Sequence, residues 1–192
     1  MIRIALIGDI GSGKTHVSKK FNYPVFNADN EVSKLYKKNI KFFNKFKKIF
    51  PKYITKLPIE KKQLTKVILA NPSNLKKIVK IIHPEVQYCM NKFLKKNKNS
   101  KIVVLDIPLL LENKINKKGD ILIFVDANKN EINKRLKKRK NINMKLVKKL
   151  KKLQLPVETK KKKANFIIKN NFNNNFVKKS VKNILNNILS YD

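Results

Sequence analysis

The residues best suited to chemistry form one short run near the N-terminus. Residues 8–15 read GDIGSGKT and satisfy the pattern G-x-x-x-x-G-K-[ST] without a mismatch. Glycines let successive backbone N–H groups turn toward one anion, while Lys14 supplies a positive charge and Thr15 a hydroxyl for Mg²⁺. The residues expected to hold the phosphates are Gly11, Ser12, Gly13, Lys14, Thr15 and His16. The run predicts a nucleoside triphosphate site, with an ordinary helix position as the alternative role of His16.

An aspartate suited to activating an acceptor follows the second apolar run. Asp29 ends the sequence VFNAD at residues 25–29, and ligands gather at the carboxyl edge of a parallel sheet. A carboxylate there can take the proton of an acceptor hydroxyl and hold its oxygen in line with the transferred phosphate. The alternative is that Asp29 caps the next helix, and the two roles are compatible.

A second aspartate, Asp106, ends the apolar run IVVL at residues 102–105 and precedes Pro108 by two positions. P-loop proteins often carry an acidic residue here that supports the Mg²⁺ shell, so Thr15 and Asp106 are the predicted metal residues. The alternative is a carboxylate that only stabilises the turn before Pro108.

Besides Arg3, only two arginines stand out in a chain that otherwise uses lysine. Arg135 and Arg139 lie four positions apart, which places both on one face of a helix. A guanidinium can clamp phosphate oxygens through two parallel hydrogen bonds, whereas lysine cannot. We therefore expect both arginines to act in catalysis with Lys14 and Asp29; two solvated surface arginines are the alternative.

A histidine is the remaining candidate for contact with an acceptor. His83 precedes Pro84, which the apolar pattern places at the junction of two helical stretches. At such a junction the imidazole either caps a helix or contacts a bound acceptor.

The elements that must position these residues alternate along the chain. Five short apolar runs are strand candidates, and the stretches between them suit helical crossovers. The runs occupy residues 2–7, 24–28, 102–105, 121–125 and 165–168. Strands that alternate with helices predict an α/β fold of three layers around a five-stranded parallel sheet.

One domain of the P-loop kinase type, residues 1–192, is expected from this organisation. Its core comprises residues about 1–29, 101–134 and 164–192, and the apolar stripe near the C-terminus predicts a helix packed on the sheet. Residues about 30–100 lack a strand pattern and predict a helical acceptor-binding insertion. Residues about 135–163 predict a helical lid that is broken near Pro156.

The lysines of the lid include the run from Lys160 to Lys163, which we interpret as a solvated helical face.

Bulk composition limits the classes of partner. The formal net charge is +35, from 47 Lys+Arg and 12 Asp+Glu, which by itself indicates a polyanion partner. Lysine is spread over nearly every predicted helix without a binding fingerprint, so we expect no specific nucleic-acid partner but a general attraction for anionic substrates. No apolar run approaches the roughly 18 residues of a membrane span, and a single cysteine suits a reducing cytoplasm.

Several separated motifs resemble the dephospho-CoA kinase family. Residues 8–15 resemble its GGIGSGKS loop, and FNAD at 26–29 resembles its (I/V)-D-A-D, whose last aspartate is taken as the catalytic base. LANP at 69–72 with IIHP at 81–84 resembles the F-x-(D/N)-P and H-P pieces of its CoA-binding subdomain. DIPLLLE at 106–112 matches its P-L-L-x-E signature, and Arg135 and Arg139 fall on its lid helix.

This resemblance runs through nearly the whole chain and implies a kinase. It implies ATP and Mg²⁺ as cofactors, dephospho-CoA as substrate, and His83 and Pro108 beside that substrate. The chain departs from the family pattern at Asp9, where glycine is usual, and at Asn27 and Asn165, where aspartate is usual. Residues 37–61 are shorter than usual and contain no glycine.

The phosphate loop alone leaves two other functions open. A kinase acting on a nucleoside monophosphate would carry the same loop, as would a basic nucleic-acid-binding ATPase or a switch with a macromolecular partner. Acceptor-dependent release of ADP separates these three activities.

Overall fold

The computed structural model describes residues 1–138 and 143–190, and its centre is a five-stranded parallel sheet. The strand order is β2-β3-β1-β4-β5, and all neighbouring pairs are parallel. The strands are β1 Ile2–Gly8, β2 Val25–Asn27, β3 Ile102–Asp106, β4 Ile121–Asp126 and β5 Phe166–Lys169. The parallel α/β fold predicted from the five apolar runs is confirmed.

Helices occupy most of the remaining described chain. They are α1 Lys14–Ser18, α2 Ala28–Lys38, α3 Ile40–Ile49, α4 Lys61–Ala70, α5 Pro72–Lys96, α6 Lys129–Lys138, α7 Met144–Lys151, α8 Val157–Lys163 and α9 Asn174–Leu189. A single 3₁₀ turn, Lys19–Phe21, extends α1. No helix within the described ranges has the length and apolar character that crossing a bilayer requires.

The middle strands of the sheet are apolar along most of their length. Every residue of β3 is buried, as are the middle residues of β4, which is typical of parallel strands covered on both faces. One layer of that cover is α9, whose stripe is buried at Val177, Val181, Ile184 and Ile188. The predicted packing of this C-terminal stripe against the sheet is confirmed.

The chain forms two compact units. The first comprises residues 1–27 and 94–192 and contains the whole sheet, and the second comprises residues 28–93. The second unit is helical, and its core includes a group of aromatic rings that pack at tilted or edge-to-face angles. Tyr36, Phe42, Phe46 and Phe50 have ring centroids between 5.0 and 6.2 Å apart.

Helix α5 runs without interruption through Pro84, so the junction predicted at His83 is wrong. Proline removes one backbone hydrogen bond and crowds the preceding turn. Here the apolar face of α5 compensates, because its buried side chains lie on both sides of Pro84. They are Leu75, Ile78, Ile81, Val86 and Met90.

The described part of the predicted lid, residues 135–138 and 143–163, contains helices with a break before α8, as predicted. Helix α8 begins after Pro156, whose φ of −51° and ψ of 144° leave the helical region. The interpretation of Lys160 to Lys163 as a solvated face is wrong for Lys160, which is only 2% exposed. The burial follows from helical periodicity, because one lysine in four consecutive positions must face the sheet.

Candidate active site

The phosphate loop connects the central strand β1 to helix α1. Asp9 O accepts a hydrogen bond from Ser12 N (3.2 Å), and Gly13 O accepts from His16 N and Val17 N (2.9 and 3.0 Å). Gly13 has a φ of +92°, which an L-residue with a side chain rarely adopts. The loop therefore closes on itself and leads directly into α1.

Lys14 folds back over this loop. Its Nζ donates to Gly8 O (3.3 Å) and to Asp9 O (2.9 Å). These carbonyls keep the ammonium beside the loop. From there the flexible side chain can move its ammonium group to a phosphate oxygen. The phosphate-binding role of Lys14 stays a prediction.

A buried carboxylate ties the start of α1 to the ends of two neighbouring strands. Asp106 is 3% exposed, and its Oδ2 accepts from Thr15 Oγ1 and from Asn27 Nδ2, both at 2.6 Å. Asn27 and Asp106 are partners in the β2–β3 register. The structure thus brings together Thr15 and Asp106, the two predicted metal residues, and adds Asn27.

The donor set at this position suits a hard cation. A hydroxyl and a carboxylate supply the oxygen ligands that Mg²⁺ prefers, and such a site normally completes its shell with phosphate oxygens and waters. No cluster of three or more His, Cys, Asp or Glu residues in the described ranges is arranged to hold a metal.

Helix α6 packs against the loop and positions Arg135. Ile132 and Leu136 are buried, and Ile10 of the loop packs against their cluster. Arg135 projects beside them, with its Cζ 4.1 Å from the centroid of the Phe172 ring. The aromatic ring holds the guanidinium in place through a cation–π contact. The other predicted arginine, Arg139, lies outside the described residues.

His16 follows the loop within α1. Burial, followed by the charge of Lys20, lowers the pKa of its imidazole, so the ring is neutral near pH 7. A neutral ring adds no charge to the phosphate site.

The turn after β3 contains Pro108, which is the residue of the first unit predicted to lie beside the substrate. Pro108 is exposed. Glu112, a few residues later, accepts a hydrogen bond from Leu155 N (2.9 Å). This contact attaches the turn to the segment that precedes α8.

The second unit contains Asp29 and His83. Asp29 lies in the first turn of α2 and lines a cavity of about 690 Å³ together with Ser33, Tyr36 and Ile59. This volume is typical of small-molecule sites. Burial, followed by the charge of Asp29, raises the pKa of the Tyr36 hydroxyl. His83 Nε2 is buried without a hydrogen-bond partner in the part of the chain that the structure describes.

Two residues important for the site geometry received no role from sequence reasoning. Asn27 binds Asp106, and Asn170, immediately after β5, donates from Nδ2 to Ser12 O (2.8 Å). Both residues stand at the carboxyl ends of strands, where ligands gather in a parallel sheet. This position was the signal in the sequence from which a role in the site could have been inferred. Amides are common in turns, however, and the long-range pairing is invisible in the sequence.

The strand order, the loop after the central strand and the buried aspartate at the end of β3 define a P-loop protein of the small-molecule kinase type. Comparison with known proteins identifies the family within this class. The family model for dephospho-CoA kinase matches residues 2–175. The dephospho-CoA kinase of Wolbachia pipientis wMel is 33% identical over 190 residues, which cover 96% of this chain and 97% of that protein.

Solved structures agree with this assignment at the level of the fold. TT1252 from Thermus thermophilus superposes with a TM-score of 0.79 at 25% identity and covers 97% of both chains. A dephospho-CoA kinase from Campylobacter jejuni superposes with a TM-score of 0.62 at 20% identity, over 97% of this chain and 96% of its own. The chain belongs to the dephospho-CoA kinase family, and its activity is that of an ATP-dependent kinase.

Proposed function

We propose that the enzyme transfers the γ-phosphate of ATP to the ribose 3′-hydroxyl of dephospho-CoA, giving coenzyme A and ADP. The observation that carries this proposal is the joint placement of Lys14, Thr15 and Asp106 around one phosphate loop. The family, and relatives named dephospho-CoA kinase, support the choice of acceptor. The lone cysteine suits a reducing cytoplasm as the proposed compartment.

Phosphate binding is the first task of the chain. The backbone N–H groups of residues 11–15 surround the β- and γ-phosphates, and Lys14 moves from the Gly8 and Asp9 carbonyls to the phosphate oxygens. Thr15 and Asp106 would hold Mg²⁺, Asp106 through water or through the Thr15 hydroxyl. The metal, when bound, neutralises charge between the phosphates.

Activation of the acceptor is the second task. We assign to Asp29 the role of accepting the proton of the 3′-hydroxyl and aligning its oxygen. Arg135 and Arg139 stabilise the negative charge that spreads over the transferred group. His83 and Pro108 contact the acceptor, the helical residues 30–100 bind it, and residues 135–163 act as the lid.

The test of the reaction is a coupled assay for ADP with ATP, Mg²⁺ and dephospho-CoA, with the phosphorylated product identified by mass. Dephospho-CoA should raise ADP release strongly, and chelation of Mg²⁺ should abolish it. A nucleoside monophosphate that replaced dephospho-CoA as the better acceptor would establish the neighbouring kinase activity instead. Turnover that required DNA or RNA and declined steeply with salt would establish a nucleic-acid-dependent ATPase.

The role of Asp29 has a separate test. Asp29→Asn should lose most turnover while its affinity for ATP stays near that of the wild type, because the base acts on the acceptor. Glu31→Gln is the matched control, since it removes one carboxylate from the same helix, where Glu31 pairs with the exposed Lys34. Near-normal turnover of Asp29→Asn would reject the assignment of the base.

A further inference from the structure

Side chains from outside the motif bind both ends of the phosphate loop at its carbonyl oxygens. Lys160 Nζ donates to Gly8 O at 3.4 Å, and Asn170 Nδ2 donates to Ser12 O at 2.8 Å. Lys160 and Asn170 are each 2% exposed. Gly8 and Ser12 are buried as well, so water does not compete for these two carbonyls.

The orientation of a carbonyl decides where the next amide points. In a trans peptide the C=O and the following N–H lie on opposite sides of the chain. The hydrogen bond from Asn170 fixes the direction of Ser12 O and thereby also fixes the direction of the Gly13 N–H. A loop that binds phosphate needs its N–H groups preset in this way before the anion arrives.

The amide of Asn170 is itself fixed in orientation. Its Oδ1 accepts from Phe172 N at 2.9 Å, and its backbone N donates to Asp126 O at 2.6 Å. Because the amide oxygen is occupied by Phe172, the amide nitrogen faces Ser12. A side chain on Gly13 would overlap that nitrogen, which accounts for glycine at this position.

Lys160 is a buried cation with one carboxylate partner. Glu112 Oε1 lies 3.4 Å from its Nζ, and the Lys160 and Glu112 side chains are 3% and 11% exposed. Burial of an ion pair is costly and often brings no net stability, so a structural reason for the pair is needed. The contact of Lys160 with Gly8 O supplies such a reason. Gly8 O also accepts from Lys14 at 3.3 Å, so Lys160 is a second donor to the same carbonyl of the phosphate loop.

We propose that Lys160 and Asn170 are positioning residues that preset the phosphate loop for ATP. When Lys14 leaves Gly8 O to bind the phosphates, Lys160 keeps that carbonyl bonded and the start of the loop keeps its conformation. Asn170 performs the same task at the other end of the loop. This inference rests on the proposed ATP site but not on the identity of the acceptor.

The experiment measures the dissociation constant of ATP by calorimetry, together with the KM of each substrate. Asn170→Asp keeps the acceptor that binds Phe172 N but replaces the donor facing Ser12 O. We expect its Kd for ATP to rise about 10-fold or more, as for loss of a buried hydrogen bond, while the KM for dephospho-CoA stays within about twofold. Asn171→Asp, which adds the same charge at an exposed neighbouring position, is the control.

A second set of variants tests Lys160. Lys160→Met combined with Glu112→Gln removes the donor without leaving a buried charge unpaired and should raise the Kd for ATP by a similar factor. Lys160→Arg should recover most of the affinity because it retains a cationic donor. Lys178→Met, at an exposed position of α9, should bind ATP as the wild type does.

The outcomes separate this inference from the proposed reaction. Unchanged ATP affinity in both Asn170→Asp and the double variant would overturn the positioning roles. Losses of ATP and dephospho-CoA affinity in equal proportion, with a lowered Tm, would show a merely structural role and also overturn them. Wild-type protein that binds ATP but fails to phosphorylate dephospho-CoA would refute the proposed reaction alone.

Discussion

Two glycines with nearly the same positive φ offer a sharp test of the loop. Gly13 has a φ of +92° and Gly119 a φ of +90°, so alanine meets the same backbone strain at both positions. A Cβ on Gly119 would meet nothing within 4 Å, whereas a Cβ on Gly13 would overlap the Asn170 amide. The pair therefore separates backbone strain from collision with a neighbouring side chain.

The expected magnitudes follow from these contacts. A left-handed backbone costs an L-residue about 1–2 kcal/mol, which is the whole effect expected for Gly119→Ala. Gly13→Ala must also push Asn170 from Ser12 O, and a buried polar group that loses its partner costs about 1–3 kcal/mol. The free energy of unfolding should therefore be lowered by about 2 kcal/mol more in Gly13→Ala, an extra fall in Tm of roughly 4–8 °C for a chain of this size.

The assay is thermal unfolding followed by circular dichroism, with ATP affinity measured on the same samples. Gly119→Ala should bind ATP normally, and Gly13→Ala should bind it at least tenfold more weakly because the loop amide is displaced. Equal Tm shifts in the two variants would refute the reasoning, since the contact with Asn170 would then have no energetic role. Gly13→Ala and Asn170→Ala together should lower the Tm by less than the sum of their separate effects, because both changes remove the contact between Asn170 and Ser12 O.

Three further predictions concern charge. The net charge of +35 should attract both anionic substrates, so kcat/KM should fall severalfold between low and near-physiological salt; a flat salt profile would contradict this. Lys151 Nζ pairs with Asp9 Oδ2 at 3.1 Å and is 37% exposed, so Lys151→Met should cost under about 1 kcal/mol of stability. It should nevertheless raise the KM for ATP severalfold by leaving a loop carboxylate unpaired, and adding Asp9→Gly should reverse that rise. Burial, followed by two nearby carboxylates, raises the pKa of the Cys89 thiol, so less thiolate is present at neutral pH. Its reaction with a disulfide reagent should reach half its maximal rate at a higher pH than that of a free cysteine, and a midpoint at or below that pH would contradict the prediction.

Local patterns in the sequence were sufficient for the layout of the fold. Each of the five strands is a short apolar run, and a strand buried on both faces needs no other signal. The break before α8 followed from Pro156, and the phosphate loop followed from residues that are consecutive in the chain. The junction predicted at His83 failed because tertiary packing along α5 outweighed the local effect of Pro84.

The sequence by itself determined the succession of strands and helices along the chain, the phosphate-binding loop and the family. These features depend on neighbouring residues and on motif spacing. Only the tertiary structure decided which side chains support that loop. Lys160 and Asn170 stand more than a hundred positions from the carbonyls they bind, and Asn27 stands 79 positions from Asp106. Such pairings arise when separate strands and helices pack together, so a lysine in a lysine-rich run carries no local sign that it is the buried one.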